Sequence, residues 1–294
     1  MQQLLDQLNI PHATDVPLGP LTWYGIGGRA KWLVHPADVE QLGAVVKACR
    51  KQRIPLRVLG AGANLLVAAD VDGVVLQLDS PAFRQLHVDG LRVTVGAGYD
   101  LFKLVPEMAA RGLAGLECLA GIPATVGGAV RMNAGGSYGD IGQSVLRVTL
   151  MDEAGERFER DRDDLVFSYR KTNITAPLIV DVTFELSEDD PDALVKRFKE
   201  IFMYKKATQP FADHSAGCVF KNPDGAAAGL LIDQAGLKGY AHGGAMVSDQ
   251  HANFVVAADE SCTPADILAV IEHVEKTVAQ THGVTLQREL VVWR

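Results

Sequence analysis

Gly121-Ile-Pro-Ala-Thr-Val-Gly-Gly-Ala-Val-Arg-Met-Asn-Ala-Gly135 is the stretch on which the fold turns. It sits in a glycine-rich segment running from Gly112 to Gly142. Glycine loses more backbone freedom on folding than any other residue, so this segment is read as neither a plain helix nor a central strand. The embedded Pro, Met, Asn and Glu residues set it apart from low-complexity sequence. A second loop, Gly60-Ala-Gly-Ala-Asn64, follows the strand-like run Pro55 to Leu59. Glycines let backbone N–H groups approach a ligand, and successive N–H groups form nests for anions. A Rossmann fingerprint is not met: the third glycine is missing, and Leu65-Leu-Val67 continues as β-compatible sequence. Neither loop is followed by Gly-Lys-Ser/Thr, which argues against a P-loop NTPase. Two such loops fit a long dinucleotide whose pyrophosphate draws on both. An ordinary tight turn, or close packing of backbone segments, is the plainer alternative for each.

Outward from the loops, the pattern mixes helices and strands. Residues 37 to 52 read as a helix, with Val39, Leu42, Val46 and Cys49 at helical spacing. Leu101 to Arg111 reads as another, ended by Gly112. Val74 to Leu78, Arg92 to Val95, Val145 to Asp152 and Leu178 to Leu186 read as strands. Ser187-Glu-Asp-Asp-Pro191 is a polar break and a candidate boundary. Beyond it, Asp192 to Lys206, Ala227 to Gln234 and Pro264 to Gln280 read as helices, and Asn253 to Val256 and Val284 to Trp293 as strands. The grouping indicates an α+β protein with a cofactor domain followed by a smaller cap.

The chain has 294 residues, 48% of them hydrophobic, enough for a large core in two or three domains. A net charge of -8 excludes a global electrostatic footprint for nucleic acid. The first residues carry no basic n-region and no long apolar run, and no apolar stretch approaches about 18 residues, so neither a signal peptide nor a membrane span is expected. Cys49, Cys118, Cys218 and Cys262 form no Cys-x-x-Cys pair. A zinc site is therefore not expected, and reduced thiols in a cytoplasmic protein are.

Several motifs together resemble one family. They are Gly60-x-Gly-x-Asn-Leu-Leu66, Gly115-Leu-Glu-x-x-Ala-Gly-Ile-Pro123 continuing to Gly135, Tyr169-Arg170, Gly217-x-Val-Phe-Lys-Asn-Pro223 and His251-Ala-Asn-Phe254. In order and combination they resemble the UDP-N-acetylenolpyruvoylglucosamine reductases, from about Thr22 to Leu290. The resemblance implies a vanillyl-alcohol-oxidase-type FAD-binding domain of two subdomains, residues 1–72 and 73–190, plus an α+β substrate-binding subdomain, residues 191–294. The short interval between Arg170 and Cys218 resembles the shorter subtype of the family. The implied partners are NADPH and UDP-N-acetylglucosamine enolpyruvate, acted on by a monomer, without nucleic acid, membrane or metal. The implied reaction passes hydride from NADPH through FAD to C3 of the enolpyruvyl group, and an acid protonates C2.

The resemblance also assigns residues. Arg170 is the candidate for the substrate carboxylate, because a guanidinium fork stays charged while electron density shifts onto its partner. Alone, such an arginine is usually solvated or salt-bridged. Glu289 matches the second electrostatic residue, a role that requires it to be protonated or paired. An exposed glutamate pairing with Arg288 or Lys238 is the alternative. Cys218 stands where the family usually has a proton-donating serine; a thiol, with an ordinary pKa near 8.5, can serve as that acid. A buried structural cysteine is the alternative. Gly60, Gly62, Asn64, Leu65, Ile122, Gly127 and Gly128 form the FAD set, and Tyr169, Lys221 and Asn222 the substrate set. Lys205 or Lys206 could meet phosphate. Ala63 replaces a usual serine and Ala124 a usual glycine, which questions the second turn's backbone. His251 reads as a buried histidine satisfied by backbone. A flavin oxidase acting on another sugar or alcohol, and a cysteine hydrolase using Cys218 with His214 or His251, are the rival classes.

Overall fold

Asp38 starts the first long helix: its carboxylate accepts the N–H of Gln41 at 2.8 Å, and the helix Val39–Gln52 ends where Arg53 turns left-handed at φ 55°. The computed structural model describes every residue, Met1 to Arg294. That helix connects the strand Arg29–Val34 to Leu56–Val58, and Leu56–Val58 runs parallel to Val71–Leu76. With His12–Pro17 these make a four-stranded sheet in the order His12–Pro17, Arg29–Val34, Val71–Leu76, Leu56–Val58.

The second sheet has five strands in the order Arg157–Asp161, Val145–Met151, Leu178–Glu185, Arg92–Gly96, Leu86–Asp89, all paired antiparallel. The Asp152–Glu156 turn is closed by Asp152, whose carboxylate accepts the N–H groups of Ala154 and Glu156, with Gly155 left-handed at φ 72°. The helix Leu101–Ala110 is capped by Asp100. The glycine-rich segment holds a short helix, Val126–Arg131, which sequence pattern alone did not indicate. Thr125 is its cap: the hydroxyl accepts the N–H of Gly128 at 3.3 Å.

The chain divides into two compact units, each drawn from separate segments. Unit 1 holds Met1–Val16, Ala30–Ala61 and Asp72–Tyr204; unit 2 holds Pro17–Arg29, Gly62–Val71 and Lys205–Arg294. The last change of unit falls inside the helix Pro191–Thr208, while Ser187–Glu188 of the polar break pairs antiparallel with Leu113–Ala114. Unit 2 has a four-stranded sheet in the order His214–Ser215, Val255–Ala257, Ala245–Val247, Ala241–His242, with the helices Ala228–Gln234 and Pro264–His282. Thr263 and Asp266 close the longer helix with a reciprocal capping box. Leu65–Val67 pairs parallel with Val291–Trp293. Only those last three residues of the expected 284–293 strand are regular. The residues before them bond irregularly to the Val219–Lys221 segment instead, through Phe220 opposite Arg288 and through the Lys221 N–H to the Gln287 carbonyl.

Each unit buries its own core, with Val182, Phe184 and Val148 in unit 1 and Ile232, Ile267 and Ile271 in unit 2. Each fully buried aliphatic or phenyl side chain stabilises its unit by about 1.5–3 kcal/mol. Phe184 is fully buried on the central strand Leu178–Glu185. Phe184→Ala is therefore expected to destabilise unit 1 by about 3–5 kcal/mol. A urea unfolding curve checks this, and a shift under about 1 kcal/mol would show that the site collapses or is not central.

Candidate active site

Gly60 of the first loop meets the second loop inside unit 1. A cleft of about 180 Å³ is lined by Gly60, Gly98, Thr125, Gly127, Gly128 and Arg131, among others. A side chain at Gly60 would place its Cβ 2.7 Å from the Thr125 hydroxyl, and one at Gly127 would stand 2.8 Å from the Ala97 methyl. These glycines are therefore required by close packing of the segments that line the cleft, and they present backbone there without a side chain. Gly127 and Gly128 do not spend their N–H groups on a nest: Gly127 donates to the Ala97 carbonyl at 2.8 Å and Gly128 to Thr125. Ile122 is half-buried and packs against the unit 1 core. Ala124 lies outside the left-handed region, and its carbonyl accepts the Leu101 N–H at 3.0 Å, so alanine is accommodated in that turn.

Arg170 is also in unit 1, at the tip of a hairpin in which Phe167 faces Thr172 and Ser168 faces Lys171. Arg170 is left-handed at φ 53°, which a side chain adopts at a cost of about 1 kcal/mol or more. Asn133 holds the hairpin in place. It is 1% exposed, its amide donates to the Ser168 carbonyl at 3.0 Å, and its side-chain oxygen accepts the Gly142 N–H at 3.0 Å. Arg170 donates to the carbonyls of Gly135 at 2.5 Å and Asn133 at 3.5 Å. The Met132-Asn-Ala-Gly135 and Tyr169-Arg170 motifs are therefore one construction. Tyr169 is exposed, with its ring 5.1 Å from the Arg170 guanidinium carbon.

Cys218 and Glu289 lie on adjoining backbone in unit 2. Gly217 is left-handed at φ 74° and turns the chain into Cys218, a half-buried thiol that is in no disulfide. The carbonyl of the next residue, Val219, accepts the N–H of Glu289 at 2.7 Å and that of Leu290 at 3.2 Å. Asn253, 3% exposed, grips Phe220 from the other side: its side-chain oxygen accepts the Phe220 N–H at 3.0 Å and its amide donates to the Phe220 carbonyl at 2.8 Å. The Asn253 carbonyl also accepts the Val219 N–H at 2.8 Å. Asn64 donates its side-chain amide to the Glu289 carbonyl at 3.2 Å, and Leu65 is buried in the strand that follows. Gly62 is left-handed at φ 66°; a Cβ there would meet the Leu21 carbonyl at 2.4 Å. Lys221 is half-buried, and exposed Asn222 accepts the Ala228 N–H at 2.9 Å, closing its loop onto the helix Ala228–Gln234. Arg288 forms a two-pronged pair with Glu275 at 2.6 Å, and Lys238 lies 3.2 Å from Asp233. Neither cation is thereby committed to Glu289.

This geometry coincides with known proteins along almost the whole chain. Residues 30–160 match the FAD binding domain family, and residues 209–293 match the UDP-N-acetylenolpyruvoylglucosamine reductase, C-terminal domain family. A protein of Desulfosudis oleivorans named UDP-N-acetylenolpyruvoylglucosamine reductase is 43% identical, over 95% of this chain and 93% of its own. One of the same name from Moorella thermoacetica is 38% identical over 99% and 96%. The chain belongs to the UDP-N-acetylenolpyruvoylglucosamine reductase family. The crystal structure of such a reductase from Thermus caldophilus superposes with a TM-score of 0.83 at 36% identity, covering 97% of this chain and 99% of that one. Cholesterol oxidase from B. sterolicum, 17% identical with a TM-score of 0.50 over 62% of this chain and 38% of its own, shares the fold of the FAD-binding part.

The chain's residues fit the cofactor of this reductase family. The cleft lies among residues of the FAD-binding match, its glycines leave bare backbone, and its cations suit a diphosphate. The histidines named with Cys218 are engaged elsewhere. His214 sets its Nδ1 3.2 Å from the Trp23 carbonyl, and His251 accepts the Asn253 N–H on Nδ1 at 3.2 Å. Burial lowers the His251 pKa. A cysteine hydrolase finds no support in these bonds. Thr125 and Asn133 are positions that the motif names without a role, and Arg131 stands at a position the motif leaves open. Thr125 before an apolar turn was the available cap signal.

Removing the Asn253 side chain strands two buried backbone groups of Phe220. Asn253→Ala is expected to destabilise unit 2 by about 1–3 kcal/mol or more. Asn253→Asp keeps the acceptor but sets a buried carboxylate oxygen against the Phe220 carbonyl, and at neutral pH should destabilise at least as much. Equal urea midpoints for all three proteins would show that water replaces the clamp.

Proposed function

We propose that the chain reduces UDP-N-acetylglucosamine enolpyruvate to UDP-N-acetylmuramate in peptidoglycan precursor synthesis, using NADPH and FAD. The observation that carries this is the 2.7 Å bond from the Glu289 N–H to the Val219 carbonyl. It holds two candidate catalytic residues, Cys218 and Glu289, on neighbouring backbone in the part that matches the reductase C-terminal family. FAD, when bound, supplies the hydride route from NADPH to C3 of the enolpyruvyl group.

The chain's own groups handle charge and protons. Cys218 gives its Sγ proton to C2, and with hydride at C3 this saturates the double bond. At neutral pH a thiol of ordinary pKa is mostly in the protonated form that the step needs. Arg170 takes the substrate carboxylate, onto which negative charge spreads as the bond is reduced. The carbonyls of Gly135 and Asn133 accept from the guanidinium and orient it. Glu289 acts as the second electrostatic group at the enolate-like carbon, in its acid form or paired. Tyr169, Lys221 and Asn222 bind the remainder of the substrate. Gly60, Gly62, Asn64, Leu65, Ile122, Gly127 and Gly128 shape the FAD site, Asn64 and Leu65 by bracing backbone. Residues 1–72 and 73–190 are read as the two FAD-binding subdomains and 191–294 as the substrate-binding one. The enzyme is read as a cytoplasmic monomer, where NADPH and a charged nucleotide sugar are both available. No helix is long and apolar enough to cross a membrane.

Stopped-flow kinetics separate the two half-reactions. Cys218→Ala is expected to bind FAD and oxidise NADPH normally, while flavin reoxidation by the enolpyruvyl substrate slows about 10²–10⁴-fold. Cys218→Ser should retain substantial reoxidation, and Arg170→Ala should impair it far more than flavin reduction. Native reoxidation by Cys218→Ala would remove the thiol from the mechanism.

A further inference from the structure

Two cations in the unit 1 cleft have no part in the chemistry above. Arg131 lines it from the end of the helix Val126–Arg131. Its guanidinium donates to the carbonyls of Ile174 at 2.8 Å, Ala176 at 2.7 Å and Pro177 at 3.2 Å. All three partners are neutral, so the loop fixes the group's direction and leaves its full charge in place. Burial lowers its pKa. Arg84, exposed, is a second cation on the same wall. Asp79 is the carboxylate among the lining residues, and it faces His35, whose Nδ1 is 2.9 Å from its Oδ2. A partly buried guanidinium without an anion beside it is costly, and a ligand that brings the anion offsets that cost. Gly60, Gly98, Gly127 and Gly128 line the same cleft and present backbone without a side chain.

We propose that Arg131 and Arg84 are the electrostatic anchor for the diphosphate-bearing part of FAD, with Arg131 aimed by the Ile174–Pro177 carbonyls. This rests on the FAD reading of the cleft. Arg131 is the oriented anchor; Arg84 adds a screened attraction from the surface.

The test strips FAD from the purified full chain and titrates it back, reading flavin fluorescence quenching at several salt concentrations. Urea midpoints of the apoproteins are measured alongside. Arg131→Met is expected to weaken FAD binding about tenfold or more. Arg84→Gln, on the surface, should weaken it by about threefold at low salt without moving the urea midpoint. Both should flatten the dependence of Kd on salt, and Arg131→Lys should restore the slope. Weaker binding with an unchanged salt slope would make Arg131 a structural residue only and overturn the inference. Should Arg131→Met fail to fold, Arg131→Gln, which removes the charge but can still donate to the carbonyls, and Arg84→Gln decide it: wild-type Kd and slope in both would sink it. Absence of quenching in the wild-type chain would instead strike down the FAD reading beneath it.

Discussion

The buried amide of Asn253 is the constraint from which the unit 2 site follows. An asparagine side chain presents one acceptor and one donor at nearly the spacing of a backbone N–H and C=O pair. Here it satisfies both polar groups of Phe220, and its own carbonyl takes the N–H of Val219. The Val219 carbonyl is then free to receive Glu289 and Leu290, and the Glu289 carbonyl receives Asn64, whose own carbonyl takes the N–H of Val291. Four distant stretches of chain are thus registered by bonds that require each polar group to find a partner away from water. Cys218 is placed by the residues after it, since Val219 and Phe220 are both held by these bonds.

Unit 1 solves the same problem with a second asparagine. Asn133 joins the end of the glycine-rich segment to the hairpin that carries Arg170. Both Asn133 and Arg170 sit in the left-handed region, at φ 44° and 53°. Asparagine reaches that region more readily than most residues; arginine does so only where its surroundings over-determine it. The surroundings do so here through two backbone carbonyls on the guanidinium and the hairpin pairing beneath. Strain of this kind is tolerated where a side chain must be aimed.

What was legible in the sequence was whatever depends on near neighbours. The helices Val39–Gln52, Leu101–Ala110 and Pro264–His282 carry apolar spacing and caps of their own, and they lie where that pattern placed them. The glycine loops were legible as loops, but not as space-makers: that Gly60 must clear Thr125 is a fact about two separated segments. The short helix Val126–Arg131 escaped because two glycines in its first turn argue against helix locally, and tertiary bonds override them. The pairing of Leu65–Val67 with Val291–Trp293 joins opposite ends of the chain, and no local period encodes it. Residues 284–290 read as strand because their composition suits one, yet their partner is an irregular segment rather than a sheet edge.

The departures from family pattern can be ranked by what they ask of the structure. Ala124 asks nothing, because its turn avoids the left-handed region. Ala63 removes one hydroxyl from its loop and leaves the loop's backbone bonds in place, among them the Gly62 carbonyl that accepts the Trp23 N–H at 3.1 Å. Cys218 alters the chemistry itself. A thiol gives up its proton far more readily than a serine hydroxyl, and its sulfur is larger and polarizable. The turn before it is open at Gly217, where a Cβ would meet its nearest neighbour, the Ala63 carbonyl, only at 3.9 Å. The bonds that brace this loop are made at Val219 and Phe220 and not by the side chain at 218, so the substitution changes acidity and susceptibility to oxidation while those bonds stay the same.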